Sequence, residues 1–115
     1  MSPRKRYDQD FTPIDEIDRT IHSPTRLKIL AMLAIVDRAD FTFLLNQTGL
    51  TRGNLSANLR KLEEAGYVGI QKEFVDRTPR TLIHLTKEGR SAIQTYRDNM
   101  AMIIKELLEG NQYSD

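Results

Sequence analysis

Several features that define other classes of protein are missing from this sequence. Its 115 residues include no cysteine, which excludes disulfide frameworks, thiolate metal sites and thiol redox switches. No apolar run approaches the roughly 20 residues that a membrane-spanning helix needs, and no signal-peptide pattern opens the chain. No internal repeat and no linker rich in proline or glycine divides it. We therefore expect a cytoplasmic, single-domain protein that does not engage a membrane.

A strong excess of one charge is also missing. Lys and Arg number 17 against 16 Asp and Glu, a net charge of +1, so bulk charge does not by itself indicate nucleic-acid binding. Residues 2–7 are nevertheless basic and residues 15–18 acidic. We expect residues 1–12 to form a flexible basic arm. Whether this arm only aids solubility or also touches DNA stays open at this point.

Motifs for chemistry are absent from the sequence as well. It has no Ser/His/Asp or Cys/His arrangement, no glycine-rich phosphate loop and no metal-binding carboxylate pattern, so we do not expect an enzyme. His22 and His84 lack a histidine or carboxylate partner at ligand spacing, so neither a metal site nor a cofactor is expected. Each histidine is interpreted as a polar surface or interface residue.

Two helix starts marked by proline open the remaining chain. Thr12 as a cap with Pro13 at the first helical position predicts one helix, and three apolar residues then fall on one face: Ile14, Ile17 and Ile21. Ser23 and Pro24 repeat the signal. The second helix is apolar on nearly all sides, which predicts that it lies at the centre of the core.

A helix-turn-helix pattern follows. A helix over residues 42–48 is predicted to stop at Gly49, which tolerates the left-handed backbone of many helix ends. Thr51 can cap the next helix through its side-chain oxygen, and Gly66 ends it. The buried face of that helix is predicted from leucines spaced by four and three residues: Leu55, Leu59 and Leu62. Two short helices joined by a tight turn form this motif.

The periodicity changes after Gly66. "YVGIQKEFV" and "RTLIHLT" are rich in β-forming residues, and the polar connector "DRTPR" between them predicts a β-hairpin. Thr86 can cap a long final helix. Apolar residues at heptad spacing along this helix predict a seam of about two heptads.

Four segments, "SPTRLKIL", "LTRGNLSANLRKLEEAGYV", "DRTPRTLIHLT" and "LTKEGRSAI", together resemble winged-helix DNA-binding domains. In detail they are similar to the small MarR/ArsR-like transcriptional regulators of bacteria and archaea. The resemblance implies an α+β, mainly helical fold, with a winged helix-turn-helix and a two-stranded β wing over residues 13–90. A long dimerisation helix and tail would occupy residues 91–115. It also implies a dimer that places the helix from Thr51 in the major groove and the wing near the backbone or minor groove.

The outward face of the helix from Thr51 is thin. Gly53 and Ala57 leave room for the floor of a groove, and polar neighbours can hydrogen-bond base edges or phosphates. Arg52 or Arg60 suits guanine or a phosphate, and Asn54 suits adenine. The full set expected to contact DNA is Thr51, Arg52, Gly53, Asn54, Ser56, Ala57, Arg60 and Lys61. The alternative is a helix-turn-helix whose small residues serve only packing.

The hairpin connector presents two arginines beside Pro79, which restricts its neighbours and is expected to stiffen the tip. An arginine is favoured in a narrow minor groove by the negative potential there. The wing residues expected to contact DNA are Lys72, Arg77, Thr78, Arg80 and Thr81. Between residues 51 and 81, six Lys and Arg oppose four Asp and Glu, a weak excess that predicts modest, salt-sensitive binding. An ordinary solvated turn is the alternative.

The final helix has more apolar residues than one small domain can cover. We expect a dimer interface that comprises Ile14, Ile17, Ile21, Ile93, Tyr96, Met100, Ile103, Ile104, Leu107 and Leu108. A two-fold dimer would place two recognition helices roughly 34–36 Å apart and match a palindromic site. The alternative is a helix that folds back on its own core. A small-molecule effector near Tyr96 and Met100 is compatible with the sequence but unsupported by it.

These features predict a sequence-specific DNA-binding transcriptional regulator that acts as a homodimer on a palindromic site in double-stranded DNA. A repressor is favoured because no activation surface is evident. Two alternatives stay open: a winged-helix protein–protein interaction module, and an architectural protein that binds DNA without sequence preference.

Overall fold

The computed structural model describes residues 11–110. Within them the chain forms α1 (Thr12–Asp15), α2 (Pro24–Ile35), β1 (Ala39–Asp40), α3 (Phe41–Thr48), α4 (Arg52–Glu64), β2 (Val68–Val75), β3 (Thr78–Leu85) and α5 (Lys87–Gly110). This is the predicted winged helix, mainly helical and α+β, with one short strand more than expected. Most of the predicted basic arm, up to residue 10, lies outside the described residues.

Helix α1 is shorter than the sequence pattern predicts. It covers only Thr12–Asp15 and its N-cap residue is Phe11, so the predicted threonine cap was wrong and the threonine lies inside the helix. Further along, Asp18 Oδ1 accepts hydrogen bonds from the backbone N–H groups of Thr20 (2.9 Å) and Ile21 (3.1 Å). A short polar side chain that bonds nearby backbone in this way offers the chain an alternative to helix.

One apolar core fills the space between the helices and the sheet. Its buried residues come from every described element except α1 and α5: Ile21, Ile29, Leu30, Leu33, Ala39, Leu44, Leu55, Leu59, Leu62, Val68, Ile83 and Leu85. Helix α2 supplies three of them, as expected of a central helix. Ile21 is completely buried here, because the turn at Asp18 carries it inward. It therefore has no surface to offer a second subunit.

The predicted capping residues define the turn of the helix-turn-helix. Thr51 Oγ1 accepts the backbone N–H of Asn54 at 3.1 Å at the start of α4. Gly49, after α3, has the left-handed φ of +71° that ends a helix with least strain in glycine. Helix α3 begins one residue earlier than predicted, because Asp40 Oδ1 accepts the N–H groups of Thr42 (2.6 Å) and Phe43 (3.3 Å).

The sheet has the strand order β1-β3-β2 and is antiparallel throughout the described chain. Strand β1 contributes two pairs, Ala39 with Ile83 and Asp40 with Leu82. Its two residues are too few to show an alternating pattern, which is why the sequence predicted only the two strands of the wing. In the wing, all eight residues of β2 pair with all eight of β3.

The wing turns at Asp76 and Arg77 rather than around the proline. Both residues have positive φ, +51° and +68°, as in the two-residue hairpin turn that matches strand twist. Pro79 therefore lies within β3, opposite Phe74, and does not stiffen the tip. Cross-strand pairs alternate between hydrogen-bonded and non-hydrogen-bonded, and the pair of Pro79 with Phe74 is of the second kind. The proline nitrogen therefore faces the other edge of β3, where β1 does not reach, and no ladder hydrogen bond is lost.

Helices α4 and α5 are joined at their ends. Gly66, with φ of +82°, follows α4, and Tyr67 N–H donates to the carbonyl of Leu62 at 2.9 Å, which is a Schellman ending. Thr86 Oγ1 accepts the N–H of Gly89 at 2.9 Å, as predicted for a cap, and donates to the carbonyl of Gly66 at 2.6 Å. One hydroxyl thus serves the end of one helix and the start of the other.

Helix α5 extends beyond the core that covers its first half. Ile93 and Tyr96 pack against the core of the same chain. Further along, the helix contacts α1, and Ile103 is buried. Four large apolar side chains remain exposed on it: Met102, Ile104, Leu107 and Leu108. Within the described residues, none of the helices has the length and apolar character to cross a bilayer.

Candidate nucleic-acid interface

Helix α4 is fixed to the core by one face and open on the other. The three predicted leucines, Leu55, Leu59 and Leu62, are buried, and the outward residues Gly53 and Ala57 are exposed. A Cβ atom built on Gly53 would meet no atom within 4 Å. The surface that would face a DNA groove is therefore both rigidly held and low in relief.

A chain of hydrogen bonds fixes one flank of this face. Asn54 Oδ1 accepts from Asn58 Nδ2 at 2.8 Å, and Asn58 Oδ1 accepts from Arg26 Nη1 at 3.0 Å. Arg26 Nε also donates to the carbonyl of Thr20 at 2.5 Å. Asn54 is thereby held in one orientation with its amide on the exposed surface. The sequence did not indicate Asn58 or Arg26, because partners 32 residues apart leave no local pattern.

The opposite flank of α4 borders a groove that separates it from the sheet. We call it the basic groove, because three cationic side chains line it against one carboxylate. Its lining comprises Phe41, Arg52, Ser56, Leu59, Arg60 and Glu63 from the helices and Ile70, Lys72 and Thr81 from the strands. Its volume is about 460 Å³. The guanidinium of Arg52 lies 5.8 Å from the ring centre of Phe41, a cation–π contact that orients the charge.

The two wing arginines have different surroundings. Arg77 lies in the turn and is exposed. Arg80 Nη1 donates to Asp40 Oδ2 at 2.5 Å, with the side chains of Arg80 and Asp40 46% and 22% exposed. The Arg80 guanidinium, assisted by the N–H groups of Phe43 and Thr42, holds the pKa of Asp40 below its ordinary value. Arg80 is thus tied to the base of the wing.

The register decides which wing residues meet the basic groove. Lys72 pairs with Thr81, and both lie on the sheet face that carries Ile83 into the core. Arg80 and its partner Glu73 lie on the other face, since successive side chains alternate. Thr78 lines a smaller depression with Arg80, Thr81 and Arg52.

The remaining predicted contacts lie at the two ends of α4. Lys61 borders a depression with Arg19 and Arg26, on the side of α4 away from the wing. Thr51 remains exposed, although its hydroxyl already caps the helix.

The predicted dimer residues differ in burial and fall into three groups. Ile93, Tyr96 and Ile103 are covered within the chain, and Tyr96 also hydrogen-bonds His22 Nδ1 through its hydroxyl at 2.9 Å. Ile17 and Met100 are half-buried. The exposed group comprises Ile14, Ile104, Leu107 and Leu108, to which the structure adds Met102.

Comparison with known proteins places this geometry in a family. The family model of the winged helix DNA-binding domain matches residues 25–104. Uncharacterized protein MJ0432 of Methanocaldococcus jannaschii is 34% identical over 89 residues, which are 77% of this chain and 97% of that protein.

Solved structures share the fold. A transcriptional regulator homologue from Pyrococcus horikoshii OT3 has a TM-score of 0.77 at 29% identity, over 84% of this chain and 98% of its own. The transcriptional repressor CouR, bound to a 23-mer DNA duplex, has a TM-score of 0.64 at 19% identity, over 85% of this chain and 66% of its own. A transcriptional regulator of the MarR family from Enterococcus faecalis V583 also shares the fold, with a TM-score of 0.66 at 21% identity, over 91% of this chain and 96% of its own. The chain therefore belongs to the winged helix DNA-binding domain family.

Proposed function

We propose that this protein is a transcriptional repressor that binds a palindromic site in double-stranded DNA as a homodimer. One observation carries the proposal: the flank of α4 beside its thin face, with Arg52 and Arg60, borders the same basic groove as Lys72 of the wing. A helix of this kind fits the major groove of B-DNA, which is about 12 Å wide. The protein would act in the cytoplasm, where the DNA of bacteria and archaea lies.

We assign recognition of the DNA bases to α4. Asn54 can pair with adenine because its neighbour Asn58 holds it in one orientation, and bidentate amide contacts of this kind discriminate bases. Gly53 and Ala57 provide the clearance that lets α4 reach the base edges. Arg60 lies next to them on the groove side and serves guanine or a phosphate.

Charge supplied by the wing and the groove fixes the position of the protein on the DNA. Lys72 and Arg52 face the same groove from opposite sides and suit the phosphates of one backbone. Thr81 adds a hydroxyl between them. Arg77 in the turn and Arg80 on the opposite face of the wing add two further cations, so affinity should fall as salt rises.

The exposed apolar residues of α5 support a homodimer. Ile104, Leu107 and Leu108 are spaced by three and four residues and therefore lie on one face of the helix. Ile14 of α1, which packs beside α5, is exposed as well. A second copy would cover this surface. Residues 13–90 would then form the DNA-binding unit, and residues 91–115 the dimerisation helix and tail.

Repression follows from occupancy of a promoter. CouR, which shares the fold, is a repressor bound to a 23-mer duplex, long enough for two half-sites one helical turn apart. A dimer of this chain with the same spacing would cover a similar length and block other proteins from it.

The test is fluorescence anisotropy with a duplex from upstream of the protein's own gene, beside a scrambled duplex of equal composition, over a salt series. We expect tighter binding to the upstream duplex. Arg52→Ala should weaken both complexes and lower the salt slope by about 0.9 for each phosphate that the arginine no longer binds. Asn54→Ala should lower only the preference.

Each competing function predicts a different result in this assay. Equal binding to both duplexes would favour an architectural protein, provided that genome-wide selection also returns no preferred site. Absence of binding by folded protein would favour a protein-interaction module. Sedimentation of Leu107→Glu, with exposed Gln94→Glu on the same helix as a control, tests the dimer separately.

A further inference from the structure

The wing carries a large aromatic side chain that the core does not use. Phe74 is 79% exposed, and its cross-strand partner Pro79 is exposed beside it. Exposure of so large an apolar side chain on a narrow two-stranded arm has a cost in water, and such surfaces commonly mark an interaction site. Nothing in the function proposed above employs this pair.

The register places Phe74 on the side of the sheet that faces α4. Side chains two residues apart lie on the same face of a strand. Phe74 therefore shares a face of the sheet with Lys72 and Ile70, and Pro79 shares it with Thr81 and the core residue Ile83. The phenyl ring therefore continues the wall of the basic groove outward. Val75, its neighbour in sequence, points to the opposite face.

Distance sets what Phe74 can reach. Ile70 lies against α4 in the basic groove, and Phe74 is four residues further along β2, so about 13 Å away at roughly 3.3 Å per residue. A helix centred in a major groove about 12 Å wide lies roughly 6 Å from either backbone. The ring would thus lie beyond one phosphate backbone, over the adjoining minor groove.

The surrounding charges suit a negatively charged partner. Lys72 lies on the same face, two residues away, and Arg77 follows in the turn. Glu73 points to the opposite face, where Arg38 forms an ion pair with it at 3.2 Å. Asp76 in the turn is the remaining carboxylate of the tip. Cations on both sides of an apolar ring match phosphates on both sides of a minor groove.

We propose that Phe74, backed by Pro79, is an apolar wedge that enters the minor groove beside the major groove occupied by α4. Side chains of this type contact sugars, partly separate stacked bases and bend the duplex. Such a wedge adds preference for easily unstacked pyrimidine–purine steps at positions that α4 does not touch. The inference rests on the proposed function, because it requires the duplex to be bound through α4.

The chain contains no tryptophan, so a single introduced tryptophan reports on the wedge directly. Phe74→Trp should lose much of its emission when duplex is added, because the indole stacks on bases, and should become shielded from acrylamide. Val75→Trp, at a 42% exposed position on the opposite face, is the matched control and should keep its emission. Anisotropy of labelled duplex in the same samples reports complex formation.

The outcomes separate this proposal from the one on which it rests. A complex formed with unchanged Phe74→Trp emission would overturn the wedge and leave the DNA-binding function standing. Failure of the wild-type protein to bind duplex would overturn both. Equal quenching of Phe74→Trp and Val75→Trp would also overturn the wedge, since it would indicate general proximity rather than insertion.

A second measurement removes the ring. Phe74→Ala should weaken binding about tenfold, as removal of one base–aromatic stack does, with the salt slope unchanged because the net charge stays the same. Duplex bending, measured by energy transfer between its ends, should decrease. Val75→Ala should alter neither. If Phe74→Ala instead dissociates the oligomer in sedimentation, the ring contacts a second copy and the wedge is refuted.

Discussion

The ion pair between Arg80 and Asp40 leads to a prediction in which loss of the pair lowers the stability of the fold but raises the affinity for DNA. Asp40 has two tasks: it caps α3 through Oδ1 and binds Arg80 through Oδ2. An asparagine at this position would keep the first task, because asparagine and aspartate cap helices about equally well. Asp40→Asn therefore removes the charge alone, and Asp40→Ala removes both.

The structure sets the size of the stability change. Both members of the pair are partly exposed, at 46% and 22% for Arg80 and Asp40, and such pairs contribute about 0–1 kcal/mol. Asp40→Asn should therefore lower the free energy of unfolding by about 0.5 kcal/mol at pH 7. Asp40→Ala should lose a further ~1 kcal/mol with the cap.

Acid should abolish the contribution of the pair. The pKa of Asp40 in the folded protein lies below its ordinary value of 3.8. The ion pair therefore stabilises the fold fully above pH 3.8, and this stabilisation is lost as the pH falls through the folded-state pKa. The difference between the wild-type protein and Asp40→Asn should then shrink in urea denaturation at low pH.

DNA binding should change in the other direction. In the free protein Asp40 competes with phosphate for Arg80, so Asp40→Asn should strengthen binding to every duplex. Each additional phosphate bound should steepen the salt slope by about 0.9, so that affinity falls roughly threefold more between 50 and 200 mM salt. Asp76→Asn, which removes an exposed wing carboxylate that does not bind Arg80, is the control. Weaker binding by Asp40→Asn would refute the competition and show that Asp40 positions Arg80 for DNA.

Three further predictions concern packing, alkaline pH and assembly. Gly53→Ala adds a Cβ that meets nothing, so it should stabilise the fold by up to about 1 kcal/mol yet weaken DNA binding. Gly89→Ala adds a Cβ 2.2 Å from the carbonyl oxygen of Tyr67, so it should destabilise the fold by about 1–3 kcal/mol in thermal denaturation. The hydrogen bond to Asp18 and partial burial raise the pKa of Tyr67 to about 12 from 10.0, so stability should fall as pH rises from 10 towards 12, and Tyr67→Phe should not show this fall. Leu107→Glu should sediment as a monomer and lose affinity for a full palindrome more than for a half-site, and a dimer that persists would remove α5 from the interface.

Much of the fold could be predicted because its signals are local. The caps Ser23, Thr51 and Thr86 and the left-handed Gly49 and Gly66 act within a few residues of the helix ends that they define. The leucine spacing of α4 likewise follows from the geometry of one helix. Each of these predictions is confirmed in the structure.

Prediction from the sequence was wrong about the turn of the wing, and it missed hydrogen bonds between residues that are far apart in the chain. The wing connector favoured a turn at Pro79, but the chain turns two residues earlier, at Asp76 and Arg77. That shift sets the register, in which Lys72 pairs with Thr81. Because successive side chains alternate between faces, Arg80 lies on the face opposite Lys72, although the sequence grouped them in one DNA-binding set.

The same limit applies to the side chains that hold α4 in place. Arg26 reaches Asn58 across 32 residues, and the hydroxyl of Tyr67 donates to Asp18 across 49. No periodicity or cap pattern encodes either pair. They exist only once α2 and the turn before it have packed against α4, so a reading of single segments cannot find them.

The joint between α4 and α5 gives the proposed dimer a physical route to DNA affinity. The Thr86 hydroxyl donates to the carbonyl of Gly66, just after α4, and accepts the N–H of Gly89 at the start of α5. The Thr86 N–H donates to the carbonyl of Tyr67 at 3.0 Å. Two of these hydrogen bonds join the segment after α4 to the residue that caps α5, and we expect this contact to couple the orientations of the two helices. If the proposed dimer binds two half-sites one helical turn apart, a small change in the angle between its two α5 helices would displace both α4 helices from that spacing. In the proposed dimer, the packing of the exposed apolar face of α5 would therefore set the separation of the two thin α4 faces, and a substitution in α5 should change affinity for a palindrome without touching α4.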